Sequence, residues 1–225
     1  MTLDLTGANV VYLDIEGKDL CRDGAIYLMQ VMVDPTHVYL VDFVKLKDPF
    51  ALGLGFREIM ENQRVRKVFF DPRNDCDALW HQYSLLPVNV LCLQMAELVT
   101  RFLDRDSTRL RNGMKRVLGQ TLSYKEASVA TTAKEAARSK IFPECGGSFE
   151  AFAARPMEPA VLAYCVTDVV FMPKIKAKYF DSLPPKAVEW TLEESTRSTL
   201  KHRARNFQPR GRSTALAPLI PSVIR

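Results

Sequence analysis

The sequence predicts an α/β fold, a mixed β-sheet of about five strands, the first three antiparallel, flanked by helices. Short β-branched and aromatic runs crowd the amino-terminal third, and the apolar spacing turns helical from about residue 73. Strands first and helices interleaved late is the order of a mixed sheet with helices packed on it.

Val10, Val11, Tyr12, Leu13 and Ile15 open the chain as a covered strand. IYLMQVMV at 26–33 is a second strand, and Asp34 and Pro35 turn it into a third, VYLVDF at 38–43. GFREIMEN at 55–62 reads as a short amphipathic helix and VRKVFF at 65–70 as the fourth strand. After Asp71-Pro72, DCDALWHQY is helical, VNVL at 88–91 is a short fifth strand, and CLQMAELVTRFL and LRNGMKRVL are helices. Residues 131–147 lack a clean apolar stripe and are expected to form a partly helical surface excursion.

The stretch at 161–180 is the most apolar helical candidate; Pro159 suits its first turn and Pro173 should kink or split it. The tail KHRARNFQPRGRSTALAPLIPSVIR mixes arginines with three prolines and is expected to run extended along the surface. The expected division is therefore 1–185 as the sheet domain and 186–225 as a carboxy-terminal helix with a basic tail.

Composition narrows the function. The chain has 225 residues, 47% hydrophobic and 25% charged, which suits one globular domain. No apolar run approaches the roughly 20 residues that span a bilayer, and MTLDLTGAN lacks the order of a secretory signal, so an intracellular protein of cytoplasm or nucleus, without a membrane partner, is expected. The five cysteines form no C-x-x-C pair and suggest neither a disulfide framework nor a cysteine zinc site. A net charge of +5 permits an anionic partner such as nucleic acid.

Asp14 and Glu16 break the first strand's apolar character. Side chains two apart share a face, so their charges repel unless something positive lies between them. Asp75 stands near the start of the helix after VFF, and Asp168 sits within an apolar helix with Tyr164 one turn earlier on the same face. Convergent carboxylate oxygens hold hard divalent cations such as Mg²⁺, and two such ions about 4 Å apart stabilise the attacking and leaving oxygens of phosphodiester hydrolysis. Taken singly these residues have plainer uses: D-x-E as solvated acids on a half-exposed strand, Asp75 as a helix cap, and Tyr164 with Asp168 as a hydrogen-bonded pair.

LDIEG with the later LMQV, then VFFDPRNDCDAL, then FAARPMEPAVLAYCVTDVVFMPKI resemble the DEDD superfamily of 3'→5' exonucleases, in the tyrosine branch that includes ribonuclease D. The resemblance covers most of residues 9–176, and EGKDLCRDG is more particularly similar to Exd-like proteins. It implies a ribonuclease H-like sheet, two Mg²⁺ or Mn²⁺ ions held by Asp14, Glu16, Asp75 and Asp168, and Tyr164 orienting the nucleophilic water. The substrate implied is the 3' end of single-stranded RNA or DNA, cut to nucleoside monophosphates. The histidine branch places its base five residues before the last Asp, where this chain has Ala163. Asp77 is a weaker match for the second motif than Asp75.

Cys92, Phe70 and Gly17 depart from residues frequent in the family, an Asp, a His and an aromatic respectively. Arg73, Lys125 and Arg155, and beyond them Arg203, Arg205, Arg210 and Arg212, are candidates for phosphate contact. His37, His81 and His202 lack metal-ligand spacing, and Trp80 and Trp190 read as packing anchors. The rival reading is a catalytically weak or inactive adaptor of the same fold that binds RNA, as in Egalitarian-like relatives; the complete acid set favours catalysis, because a phosphate-binding surface gains nothing from converging negative charge.

Overall fold

The computed structural model describes residues 9–53, 55–209 and 211–224, without the side chains of Arg212 and Ser213. Arg210 and the first eight residues lie outside the described residues. Five strands, β1 (Val10–Lys18), β2 (Ala25–Asp34), β3 (His37–Asp42), β4 (Arg66–Phe69) and β5 (Val90–Cys92), form one sheet in the order β3-β2-β1-β4-β5. β1, β2 and β3 pair antiparallel, and β4 lies parallel to both β1 and β5. The expected α/β mixed sheet, antiparallel over its first three strands, is what the chain builds.

Around it lie α1 (Phe43–Leu46), α2 (Phe56–Glu61), α3 (Arg73–Tyr83), α4 (Leu93–Leu103), α5 (Met114–Thr121), α6 (Tyr124–Ile141), α7 (Pro159–Val170), α8 (Met172–Tyr179) and α9 (Pro185–Lys201). Alternation in β1 sorts the two faces. Val11, Leu13 and Ile15 enter a core closed by Phe56, Met60, Ala78 and Leu79 of α2 and α3. Val10 and Tyr12 face the opposite core, built with Leu93, Val117, Val169 and Ile175 of α4, α5, α7 and α8. α9 packs on β5 and α4 and places Trp190 among Cys92, Met95 and Leu98. No helix among the described residues is long and apolar enough to cross a membrane.

Four local expectations change. Residues 124–141 form one continuous helix, begun by a capping box in which Ser123 and Glu126 satisfy each other's backbone N–H. Its buried side is only Ala130, Ala137 and Ile141, a stripe of small residues too faint to register as amphipathic in sequence. The helix expected in LRNGMKRVL starts only at Met114, since Leu110 is drawn into a bridge with Leu216. The tail does not simply trail over the surface: Ile224 is buried against the α4–α9 cluster, and Phe207, Pro209 and Thr214 line a cavity at the end of β1. The split expected at Pro173 falls at Phe171, between α7 and α8.

Candidate active site

β4 accompanies β1 only from Val10 to Tyr12, whereas β2 follows it to Lys18. Beyond Tyr12, β1 projects past its parallel neighbour, and Asp14 and Glu16 emerge from the Val10–Tyr12 face where apolar cover ends. α7 packs across β1 and β2 at this point and supplies Asp168 and, one turn earlier, Tyr164. Oxygens of Asp14, Glu16 and Asp168 lie within 4.8 Å of one another.

The chain leaving β4 turns through Asp71, whose φ of 58° is a left-handed conformation that Asp tolerates better than most residues. That turn starts α3 beside the free edge of β1. Asp75 lies in its first turn, buried, with its carboxylate accepting the backbone N–H of Ile15. Asp75 stands outside the close group of three but lines the same cavity of about 380 Å³ as Asp14, Glu16, Tyr164 and Asp168. A second cavity of about 460 Å³ shares Glu16, Leu20, Asn74 and Tyr164 with the first and continues into an aromatic wall of Phe142, Phe149 and Phe152.

Burial raises the carboxyls of Asp14 and Glu16 well above the usual range, and the charge of Asp168 raises them further. Burial also pushes Asp75 up to about 7. Asp168 is raised by burial against the opposing pull of Lys134. The Tyr164 hydroxyl is driven upward by burial and by the acids around it, so it remains a phenol that donates.

Lys134 had no signal in the sequence. It sits in mid-α6, within the stretch expected to be a surface excursion, yet its Nζ lies 2.5 Å from Asp168 Oδ1 and 4.2 Å from the Tyr164 ring centroid. Asp71 and Asn74 also line the cavity and were not anticipated. Asp71 belongs to Arg73, which it holds through two contacts of 2.5 and 2.6 Å.

The other candidates fall elsewhere. Arg73 reaches the cavity wall, but its guanidinium is committed to Asp71 and to the Thr214 carbonyl. Lys125 is exposed on the first turn of α6. Arg155 forks onto Asp42 at 2.7 and 2.9 Å and donates to the carbonyls of Phe152 and Ala154, so it joins loop to sheet rather than facing the acids. Arg203 stacks over Trp80 at 3.9 Å, fastening the tail to α3. Asp77 is fully buried, paired with Arg22, and is not among the residues that line the cavity. His202 is buried beneath Phe207.

The departures have local causes. A Cβ on Gly17 would stand 1.8 Å from the Ala25 carbonyl oxygen, at the register shift between Glu16 and Gly17, so the backbone there leaves no room for an aromatic. Phe70 lines the acidic cavity. Cys92 is buried at the start of α4, where its N–H donates to the Ser195 hydroxyl of α9.

The donor set suits a hard divalent cation: carboxylate oxygens only, converging from a strand and a helix, with Asp168 Oδ2 buried and lacking a hydrogen-bond partner among the described residues. Sheet order and acid placement together define a ribonuclease H-like nuclease fold. A family model described as a 3'-5' exonuclease matches residues 1–181, and the chain belongs to that family.

The chain is similar to the human piRNA biogenesis protein EXD1, 26% identical over 181 residues that cover 80% of this chain and 34% of that protein. The mouse protein of the same name is 33% identical over 97 residues, covering 43% of this chain and 17% of its relative. This chain thus spans about a third or less of the human and mouse relatives. Among solved structures, Trypanosoma brucei RNase D in complex with GMP superposes with a TM-score of 0.72 at 22% identity, covering 94% of this chain and 63% of that one. Brucella melitensis NrnC bound to pGG gives 0.63 at 16% identity, covering 89% and 86%.

Proposed function

We propose that the protein is a metal-dependent 3'→5' exonuclease that removes nucleoside monophosphates from the 3' ends of single-stranded RNA or DNA. The observation that carries this reading is the convergence of Asp14, Glu16 and Asp168 within 4.8 Å, with Asp75 on the wall of the same cavity. Membership of the exonuclease family supports it, as do fold relatives solved with GMP, with RNA U12 and with Mg²⁺.

Asp14, Glu16 and Asp168 would hold two Mg²⁺ or Mn²⁺ ions, and Asp75 would complete the second position. When bound, such ions supply a water of lowered pKa and positive charge beside the departing 3' oxygen. Asp14 and Glu16, fixed on a paired strand, present oxygens that need no rearrangement. Asp75 is held by the Ile15 N–H, which ties α3 to β1. Tyr164 would donate its hydroxyl toward the attacking water and orient it. Phe142, Phe149 and the Tyr164 ring are partly exposed in the adjoining cavity, where the terminal base can stack.

The test is an oligonucleotide labelled at its 5' end, incubated with Mn²⁺ or Mg²⁺ and with EDTA. A ladder shortening one nucleotide at a time from the 3' end, abolished by EDTA, is expected for RNA, DNA or both. Tight binding of either without shortening would overturn the catalytic reading.

A further inference from the structure

The acid cluster carries its own cation. Lys134 Nζ sits 2.5 Å from Asp168 Oδ1, and the same ammonium is the positive group facing Asp14 and Glu16. It reaches the cluster from α6, whose register is set by the Ser123–Glu126 capping box and by a second anchor from Glu126 to Lys174 of α8. The ammonium lies over the face of the Tyr164 ring, 4.2 Å from its centroid, which gives the head group a resting place beside Asp168 as well as on it. Its side chain retains 23% of its exposure, so the ammonium has a route outward.

Two positive charges cannot share one carboxylate oxygen at contact distance without strong repulsion. Asp168 Oδ1 is occupied by the ammonium, while Oδ2 is buried and has no hydrogen-bond partner among the described residues.

We propose that Lys134 is a displaceable internal counter-ion: it holds Asp168 in place before metal loading and must leave that carboxylate when a divalent cation is bound. This rests on the metal reading of the site given above. Lys134 is thus a positioning residue, and its cost is a weaker apparent metal affinity, since each binding event includes breaking the Lys134–Asp168 pair.

The test compares wild type, Lys134→Met and Lys134→Arg, each stripped with EDTA and dialysed, by titration with Mn²⁺ followed by electron paramagnetic resonance of the free ion. Lys134→Met is expected to bind Mn²⁺ about tenfold more tightly than wild type, the order of effect of one partly buried charge pair, and to melt at a lower temperature before Mn²⁺ is added. Lys134→Arg keeps the positive charge and should stay near wild type. In wild type itself, acylation of Lys134 by an amine-reactive ester, read by mass spectrometry against exposed Lys125, should rise on adding Mn²⁺. Equal Mn²⁺ affinities in all three proteins, weaker binding by Lys134→Met, or Lys134 labelling indifferent to Mn²⁺ would each overturn the inference while leaving the metal site standing. Failure of all three proteins to bind Mn²⁺ would overturn the metal reading and this inference with it.

Discussion

Two sets of acids in this molecule, one buried and one gathered at a cavity, differ in who neutralises them. Asp77 and Glu97 are almost wholly buried, and each is gripped by an arginine of the chain: Asp77 by Arg22 through backbone N–H and guanidinium, Glu97 by Arg101, with Asn112 adding a third donor. Asp14, Glu16, Asp75 and Asp168 gather round one cavity, and among the described residues Lys134 is the lysine that pairs with them, at Asp168. Buried acids with arginine partners are closed structural units, complete as folded. The second set has more negative charge than the chain itself offsets, which is the arrangement expected where an external cation completes the site.

The sharpest way to break this comparison is at Asp168. Asp168→Asn preserves shape and removes one charge from the cluster; we expect 3'-end trimming to fall by about a thousandfold, about 4 kcal/mol of barrier, with the melting temperature in EDTA unchanged or higher. Near-normal trimming by this variant would place the chemistry elsewhere.

Removing an arginine from the other set should act in the opposite way. Arg22→Met leaves Asp77 buried without its partner and should lower unfolding free energy by about 3 kcal/mol, measured by urea denaturation, equally with and without Mn²⁺. A loss that Mn²⁺ rescues would mean that the two sets are not independent.

Asp75 tests the same contrast through pH. Its folded carboxyl is raised from 3.8 to about 7, so the folded form binds its proton more tightly than the unfolded chain does. The associated stability is present below pH 4 and is lost as pH rises toward about 7. In EDTA, Asp75→Asn should therefore gain about 2 kcal/mol over wild type at pH 8 and much less at pH 4, read from melting curves at both values. A loss of stability at pH 8 would show that the Ile15 N–H bond outweighs the buried charge.

Much of this contrast was legible before any coordinates. Period-two alternation alone placed Asp14 and Glu16 on one face, and the four-residue step from Tyr164 to Asp168 placed both on one side of a helix. What was hidden depended on contacts between distant segments. Nothing local distinguishes Lys134 from the neighbouring Arg138 and Lys140; only the docking of α6 on α7 selects which of them meets Asp168. Arg155 looked as available for phosphate as any other arginine, because its partner Asp42 lies 113 residues away. Gly17 read as a departure at the site until the close approach of Ala25 supplied its reason.

The smallest expected effect is at Tyr164, and it separates positioning from proton transfer. The ring meets Phe142 edge-on and Phe152 at a tilt, at centroid distances of 6.0 and 6.1 Å, and carries Lys134 on its face. Phe in its place retains all three, so folding and Mn²⁺ affinity should hold while only the hydroxyl is lost. We expect kcat to fall about tenfold, about 1.4 kcal/mol, with KM unchanged. Because burial and the surrounding acids keep the hydroxyl protonated, Tyr164 donates a hydrogen bond and does not accept the water's proton. Wild type and Tyr164→Phe should then share one pH–rate profile, shifted down but unaltered in shape between pH 6 and 9. A basic or acidic limb present in wild type and missing from Tyr164→Phe would instead assign the proton transfer to the phenol, and would place Tyr164 with the titrating acids rather than beside them.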